Sequence, residues 1–368
     1  MSNKIDIFIH CLKGGGAERV CVTIANKLVE LGIEVRLVTL YSSGAKYEKD
    51  IDDKVKRINL CNNKNIIKNI VEIYKFVKNN NIEKVLTFNN NISIILLFLR
   101  KITNSKFKIF ARNINTLSLE QKYEKSFIKK NIIHKLIKLF YKNVDLCICQ
   151  SKGMAKDLIE NYGFNKRKVK VINNPVSDRF LNKNIVKGYD KKKEILFVGR
   201  LEKQKGLKLL LEAYKKVLNR NPEVILRIIG EGSLREELVE FSKRIGIESN
   251  VKFQEFTDDI IKNYVYSDIT VLSSYFEGFP NVLVESITVG TPVVSFDCPS
   301  GPNEIILDGI NGYLVEYLNV DMLVEKLNLA LSQEWNIEEI KKSATRFTSN
   351  IIVKQYIECL GLEISTSI

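Results

Sequence analysis

Short apolar runs alternate with helix-length amphipathic stretches along the whole chain. Ile5-Asp6-Ile7-Phe8-Ile9 reads as a strand, Ala17 to Leu31 carries helical periodicity, and Glu34 to Leu40 returns to a strand. Such a βαβ opening predicts parallel strands joined by a helix. Further strands are expected at Val85 to Phe88, Lys108 to Ala111, Leu146 to Cys149 and Val169 to Ile172, mostly separated by helix-length segments. A parallel, doubly wound α/β sheet follows.

The alternation pauses over a polar, Lys-ended stretch from Ser177 to Lys193, where a domain linker is expected, and restarts at Ile195-Leu196-Phe197-Val198-Gly199. Strands are then expected at Val224 to Ile229, Val251 to Phe253, Ile269 to Leu272, Pro292 to Ser295 and Gly312 to Val315. At 368 residues the chain exceeds one ordinary core, so the pattern divides into a domain over 1–180, a second over 190–340, and a helical segment over 341–368. Ligands of open α/β sheets lie beyond the carboxyl ends of the strands, which directs attention to the loops that follow them.

Composition narrows the class. Hydrophobic residues make up 45% and charged residues 27%, as in a folded globular protein. Seven scattered cysteines without a CxxC pair, after a start that carries no signal peptide, argue for a reducing cytoplasm rather than a disulfide scaffold. Two histidines, His10 and His134, support neither a His-rich metal site nor a Ser-His-Asp hydrolase. The apolar run Ile94 to Leu99 falls far short of the ~20 residues that span a bilayer. The formal charge of +14 implies attraction to an anionic partner, although a Lys-, Asn- and Ile-rich coding bias would produce the same excess. A nucleic acid is disfavoured, because no basic stripe interleaved with aromatics, zinc spacing or helix-turn-helix signature is present.

Three loops carry candidate chemistry. Lys13-Gly14-Gly15-Gly16-Ala17-Glu18-Arg19 closely follows the first strand and opens a helix, where glycine backbone can approach an anion; its spacing is not GxGxxG, and a plain tight βα connection reads the same way. Gly199-Arg200-Leu201-Glu202-Lys203-Gln204-Lys205-Gly206 sets Arg200 and Lys205 after the first strand of the second half, where two cations could neutralise a diphosphate, or simply form a solvated basic turn. Gly230-Glu231-Gly232-Ser233 adds a further glycine turn on that edge. Glu277-Gly278-Phe279-Pro280-Asn281-Val282-Leu283-Val284-Glu285 puts one carboxylate before a helix and one inside it, with Pro280 near the first helical position. The N–H groups of Asn281 and Val282 would face an anion, Glu285 could accept from a vicinal diol, and Glu277 could reach a sugar hydroxyl.

With these motifs the whole chain resembles the retaining glycosyltransferases of family four, which include sugar transferases of bacterial polysaccharide, glycolipid and protein-glycan assembly. The glycine loop, the Gly199 to Gly206 segment and the E-x7-E pattern from Glu277 to Glu285 carry the resemblance, together with Asp297 to Pro302 and Asp308 to Gly312. It implies a GT-B fold, two Rossmann-like doubly wound domains facing a central cleft, with the last helices packing back on the first domain. It also implies that Arg200, Lys205 and Glu277 act on the reacting sugar and diphosphate. Gly15, Gly16, Gly199, Glu231, Phe256, Phe279, Pro280, Asn281, Val282 and Glu285 would bind the donor. The region Phe253 to Phe256 would meet the base, although Glu255 stands where the family often has glycine. Members often carry His or Glu near the acceptor; this chain reads Ala111-Arg112-Asn113, which makes Arg112 and Asn113 the acceptor candidates.

The expected reaction moves a hexose or N-acetylhexosamine from a UDP-sugar to a glycan or lipid-linked acceptor, without a metal or other cofactor. A nucleotide-sugar epimerase of the same fold and a non-catalytic sugar-nucleotide-binding protein are the alternatives. Residues 127–140 read as an amphipathic helix, with Ile128, Ile132, Leu136 and Phe140 on one side and Lys130, Lys135 and Lys138 opposite. That face either packs on the core or lies on anionic lipid at the inner side of the cell membrane.

Overall fold

The computed structural model describes residues 3–41, 46–60, 66–124, 126, 131, 133–181, 192–257 and 259–364. The chain divides into two compact units, one formed by the stretch up to Ser177 together with Phe347 onward, the other by Asp178–Arg346. Much of the expected linker, 182–191, lies outside the described residues.

The first unit runs β1 (Lys4–Ile9), α1 (Gly16–Glu30), β2 (Glu34–Thr39), β3 (Lys56–Asn59), α2 (Ile66–Asn79), β4 (Lys84–Thr87), α3 (Asn90–Ile102), β5 (Lys108–Arg112), α4 (Leu117–Tyr123), α5 (His134–Phe140), β6 (Leu146–Cys149), α6 (Lys152–Tyr162) and β7 (Val169–Val171). Its described strands form a parallel sheet in the order β3-β2-β1-β4-β5-β6-β7. Alternation along β1 sorts the core into two layers: Ile5, Ile7 and Ile9 face α1, while Phe8 joins the layer of Phe76, Ile92 and Ile137. Strand β3 is not visible in the hydrophobic pattern, because Lys56, Arg57, Ile58 and Asn59 lie at a sheet edge with none of them buried.

The second unit runs β8 (Glu194–Val198), α7 (Leu207–Leu218), β9 (Ile225–Ile229), α8 (Arg235–Arg244), β10 (Val251–Gln254), α9 (Ile260–Tyr266), β11 (Ile269–Leu272), α10 (Asn281–Thr288), β12 (Val293–Phe296), α11 (Pro302–Ile305), β13 (Gly312–Val315), α12 (Val320–Ser332) and α13 (Ile337–Ala344). The parallel order is β10-β9-β8-β11-β12-β13. The helical stretch expected over Ile337 to Leu362 is two helices. A turn at Thr345–Phe347 separates α13 from α14 (Ser349–Leu360), and a bridge from Val176 to Thr348 draws the chain back into the first unit. There Ile352, Val353 and Tyr356 enter the same core layer as α1.

The basic amphipathic stretch is phased differently from its sequence pattern. Ile128, Lys130 and Ile132 lie outside the described side chains, and in α5 it is His134 and Ile137 that are buried, whereas Leu136 and Leu139 are exposed. Tyr141, buried directly after the helix, anchors that register, and Phe140 meets Phe98 of α3 edge-on at 4.9 Å.

One polar pair interrupts the first core. Asp6, fully buried in β1, accepts two hydrogen bonds from its register partner Arg36, at 2.5 and 2.7 Å, and the guanidinium lies 5.2 Å from the Phe76 ring. Removing one member of a buried pair strands the other charge. Arg36→Ala should therefore lower the unfolding free energy by about 3–5 kcal/mol; a urea midpoint equal to that of the unaltered protein would show that the pair carries no such load.

Candidate active site

In the second sheet the chain winds outward from β8 through β9 to β10, then returns to β11 on the other flank of β8. The loops leaving β8 and β11 diverge from this switch point, where open α/β sheets hold their ligands. Both carry the residues singled out from the sequence.

The two loops are fastened together. Gly206 closes the turn after β8 with φ of +60°, and a Cβ there would stand 2.1 Å from the Ser273 carbonyl oxygen, so only glycine admits this approach. Ser273 Oγ donates to the Lys205 carbonyl at 2.9 Å, the Tyr275 N–H to the Gln204 carbonyl at 2.8 Å, and Gln204 Nε2 to the Phe276 carbonyl at 2.9 Å. The turn after β9 presses on the same loop, its Glu231 carbonyl accepting from the Leu201 N–H at 2.8 Å. The Glu231 side chain is exposed.

Within this frame Lys205 Nζ reaches Glu277 Oε1 at 2.6 Å, and Ser274 Oγ donates to the same oxygen at 2.6 Å. Both charged side chains are largely buried, 13% and 9% exposed, so each depends on the other for its missing hydration, and Glu277 also on Ser274. Arg200 is exposed, and its Nη2 donates to Gln204 Oε1 at 3.3 Å. Cys298 lies buried nearby; burial pushes its thiol well above the usual range, and the Glu277 carboxylate adds to that shift. The loop that follows β12 braces the same segment, with Ser300 Oγ donating to the Gly278 carbonyl at 3.0 Å.

Helix α10 begins immediately after. Pro280 is its cap residue, Phe279 and Pro280 are buried, and Asn281 and Val282 form the half-buried first turn. Glu285, buried one turn further in, accepts a hydrogen bond from Tyr264 of α9 at 3.0 Å. Phe256, half-buried, lies beyond the end of β10. The structure thus places Arg200, Lys205 and Glu277 on two fastened loops, with Arg200 bonded to Gln204 and with Lys205 and Ser274 both bonded to Glu277. Sequence reasoning did not single out Gln204, Ser274 and Tyr264: Gln204 reaches the Phe276 carbonyl on the other loop and Tyr264 reaches Glu285 on another helix, while Ser274 meets Glu277 within its own loop.

Other candidates stand elsewhere. Gly15 caps α1 and Gly16 is its first residue, both exposed in the first unit. Arg112 and Asn113, the acceptor candidates of the sequence, are both 2% exposed. Arg112 donates to Tyr356 Oη at 3.2 Å and to Asn174 Oδ1, with its guanidinium 4.8 Å from the Phe88 ring. It ties β5 to α14 and to the chain beyond β7. Asn113 is turned inward to the Asn115 carbonyl at 2.9 Å. Among the described residues no group of three or more His, Cys, Asp or Glu side chains is placed to hold a metal ion.

Two doubly wound parallel units, the second bearing paired cations and carboxylates at its switch point, define the class of GT-B glycosyltransferases. Residues 14–180 match the family model described as Glycosyltransferase Family 4, and residues 178–351 the model described as Glycosyl transferases group 1. The chain belongs to the family-four glycosyltransferases of the GT-B fold. It is 29% identical over 341 residues, 90% of this chain and 91% of the relative, to a Campylobacter jejuni enzyme named N-acetylgalactosamine-N,N'-diacetylbacillosaminyl-diphospho-undecaprenol 4-alpha-N-acetylgalactosaminyltransferase. It is 34% identical over 197 residues, 52% of this chain and 53% of the relative, to the lipopolysaccharide 1,6-galactosyltransferase of Salmonella typhimurium. The solved structure of Anabaena HepE in complex with UDP and glucose has a TM-score of 0.78 at 19% identity, covering 97% of this chain and 99% of that one.

The fastening of the two loops is open to test. Gly246 also has a left-handed backbone, φ +72°, but an added Cβ there would meet nothing within 4 Å. Alanine at either position carries the backbone strain of about 1 kcal/mol, and only at Gly206 does it also collide with main chain. Gly206→Ala should lower the thermal midpoint clearly more than Gly246→Ala; equal losses would mean that the loops are free to part.

Proposed function

We propose that this protein transfers a hexose or N-acetylhexosamine from a UDP-sugar to a glycan or lipid-linked acceptor with retention of anomeric configuration, in the assembly of a bacterial surface polysaccharide or glycan. The observation that carries this reading is the group formed by Arg200, Lys205 and Glu277 at the switch point of the second sheet. The named activities of the Campylobacter and Salmonella relatives support the sugar class and the lipid-linked acceptor, and the UDP and glucose bound to the Anabaena protein support the donor.

In the reaction proposed, the sugar–phosphate bond loosens and negative charge grows on the departing diphosphate. Arg200, Lys205 and the N–H groups of Asn281 and Val282 take up that charge, so the mechanism needs no metal ion. An ammonium has three donors, which lets Lys205 keep Glu277 and still serve a phosphate oxygen. Glu277 orients the sugar, Phe279 and Pro280 shape its pocket, and Glu285, steadied by Tyr264, receives the ribose hydroxyls. Phe256 meets the base. The acceptor hydroxyl attacks from the leaving-group face and passes its proton to a phosphate oxygen, so the paired carboxylates are not an acid/base couple.

Lys205→Ala should reduce turnover by ~10²–10³, read as nucleotide released from a panel of sugar nucleotides with lipid-linked acceptors present. The unaltered protein should keep its activity in a metal chelator. Near-normal sugar transfer by the variant would end the assignment.

For the partner we propose an anionic lipid surface on the cytoplasmic side of the cell membrane. The face concerned combines α3 and α5, where Phe98, Ile102, Leu136 and Leu139 are 44%, 71%, 42% and 58% exposed beside Lys101, Lys135 and Lys138. No described helix is long and apolar enough to cross a membrane. Apolar insertion and lysine attraction together bind such a surface. The protein should pellet with phosphatidylglycerol-containing vesicles at low salt and come off at high salt, and Leu139→Asp should weaken pelleting. Equal recovery with neutral vesicles would refute the surface.

A further inference from the structure

Gln204 touches both halves of the site. Its Oε1 accepts from Arg200 Nη2 at 3.3 Å, and its Nε2 donates to the Phe276 carbonyl at 2.9 Å, one residue before Glu277. A carbonyl can only accept and a guanidinium can only donate, so the network fixes which end of the amide faces which partner. The Gln204 main chain is held as well, its carbonyl accepting from the Tyr275 N–H at 2.8 Å.

Arg200 and Lys205 are not equivalent. Lys205 is ion-paired with Glu277, whereas among the described residues Arg200 makes no ion pair with a carboxylate. Arg200 is aimed instead by a neutral amide, which orients a guanidinium without cancelling its charge. A carboxylate at 204 would fail on both counts: it would neutralise Arg200 and set its second oxygen against the Phe276 carbonyl.

We propose that Gln204 is a positioning residue that directs the Arg200 guanidinium at the donor diphosphate while preserving its full charge. This rests on the donor-site reading given above. Gln204 then contributes to recognition of the diphosphate and not of the nucleoside.

The test is calorimetric titration of UDP and of uridine into the full-length protein and its variants. The unaltered protein binds UDP more tightly than uridine. Gln204→Glu weakens UDP by about 10-fold with uridine affinity unchanged, and lowers the thermal midpoint because the bond to the Phe276 carbonyl is lost; Gln204→Ala, which loses the aim but keeps the charge, weakens UDP by a smaller factor. A purely structural role would weaken both ligands in proportion. Wild-type UDP affinity in Gln204→Glu, or parallel losses of UDP and uridine, overturns the inference. Should Gln204→Glu not fold, an unchanged UDP-to-uridine ratio in Gln204→Ala does so. If the unaltered protein shows no preference for UDP, the donor-site reading itself falls and takes this inference with it.

Discussion

The close approach of the turn after β8 to the end of β11 is the constraint on which the site depends. In a parallel sheet the loops at a switch point run apart, so nothing in the strand pairing holds them together. Gly206 removes the one steric obstacle, and the hydrogen bonds from Ser273, Tyr275 and Gln204 then close the gap. Only with that gap closed can a lysine on one loop and a glutamate on the other meet at 2.6 Å. Both charges would otherwise have to be solvated separately, which the buried surroundings do not permit.

The two units share a second device. Asp6 on β1 pairs with Arg36 on the neighbouring β2, and Glu194 on β8 pairs with Arg227 on the neighbouring β9 through contacts of 2.9 and 2.7 Å. In each sheet an acid on the first strand therefore meets an arginine on the second. Hydrogen bonding to Glu194 raises the proton affinity of Arg227 further, as expected when a guanidinium forks onto a carboxylate in partial burial. Such pairs contribute little net stability against an apolar alternative, yet they penalise any slip of register, because a one-residue shift would strand a charge in the core.

The sequence pattern discloses elements better than it discloses partners. Strands with apolar runs, such as Ile195 to Val198 and, broken only by Thr270, Ile269 to Leu272, are read directly because both their faces are buried. The edge strand Lys56–Asn59 escapes because its environment imposes no apolar pattern, and the break at Thr345–Phe347 escapes because the helical period continues across it. In α5 a stripe of apolar residues suggests a packed face, but the buried side is chosen by His134 and Ile137 and by Tyr141 just beyond the helix, and Leu136 is left outside. At the site, the charged residues are legible because their placement after strands is local. Gln204 and Tyr264 are not, because nothing in a polar side chain's own neighbourhood announces that it will reach the Phe276 carbonyl or Glu285, and Ser274, although only three residues from Glu277, depends on a loop conformation that the sequence pattern does not disclose.

Those three residues share a property that bears on how the site works. Each is a neutral hydrogen-bonding group set against a charged one: Gln204 against Arg200, Ser274 against Glu277, Tyr264 against Glu285. A neutral partner fixes direction while leaving net charge in place, so reorganisation is done before the ligand arrives and the field remains available to it. Lys205 and Glu277 are the exception, two opposite charges that restrain each other in largely buried surroundings. Arg112 marks the contrast in the first unit: it too has neutral partners, Asn174, Tyr356 and the Phe88 ring, but it is enclosed by them, and its guanidinium fastens the junction of β5 with α14. Exposure, more than residue type, separates an arginine that holds the fold from one that is free to meet an anion.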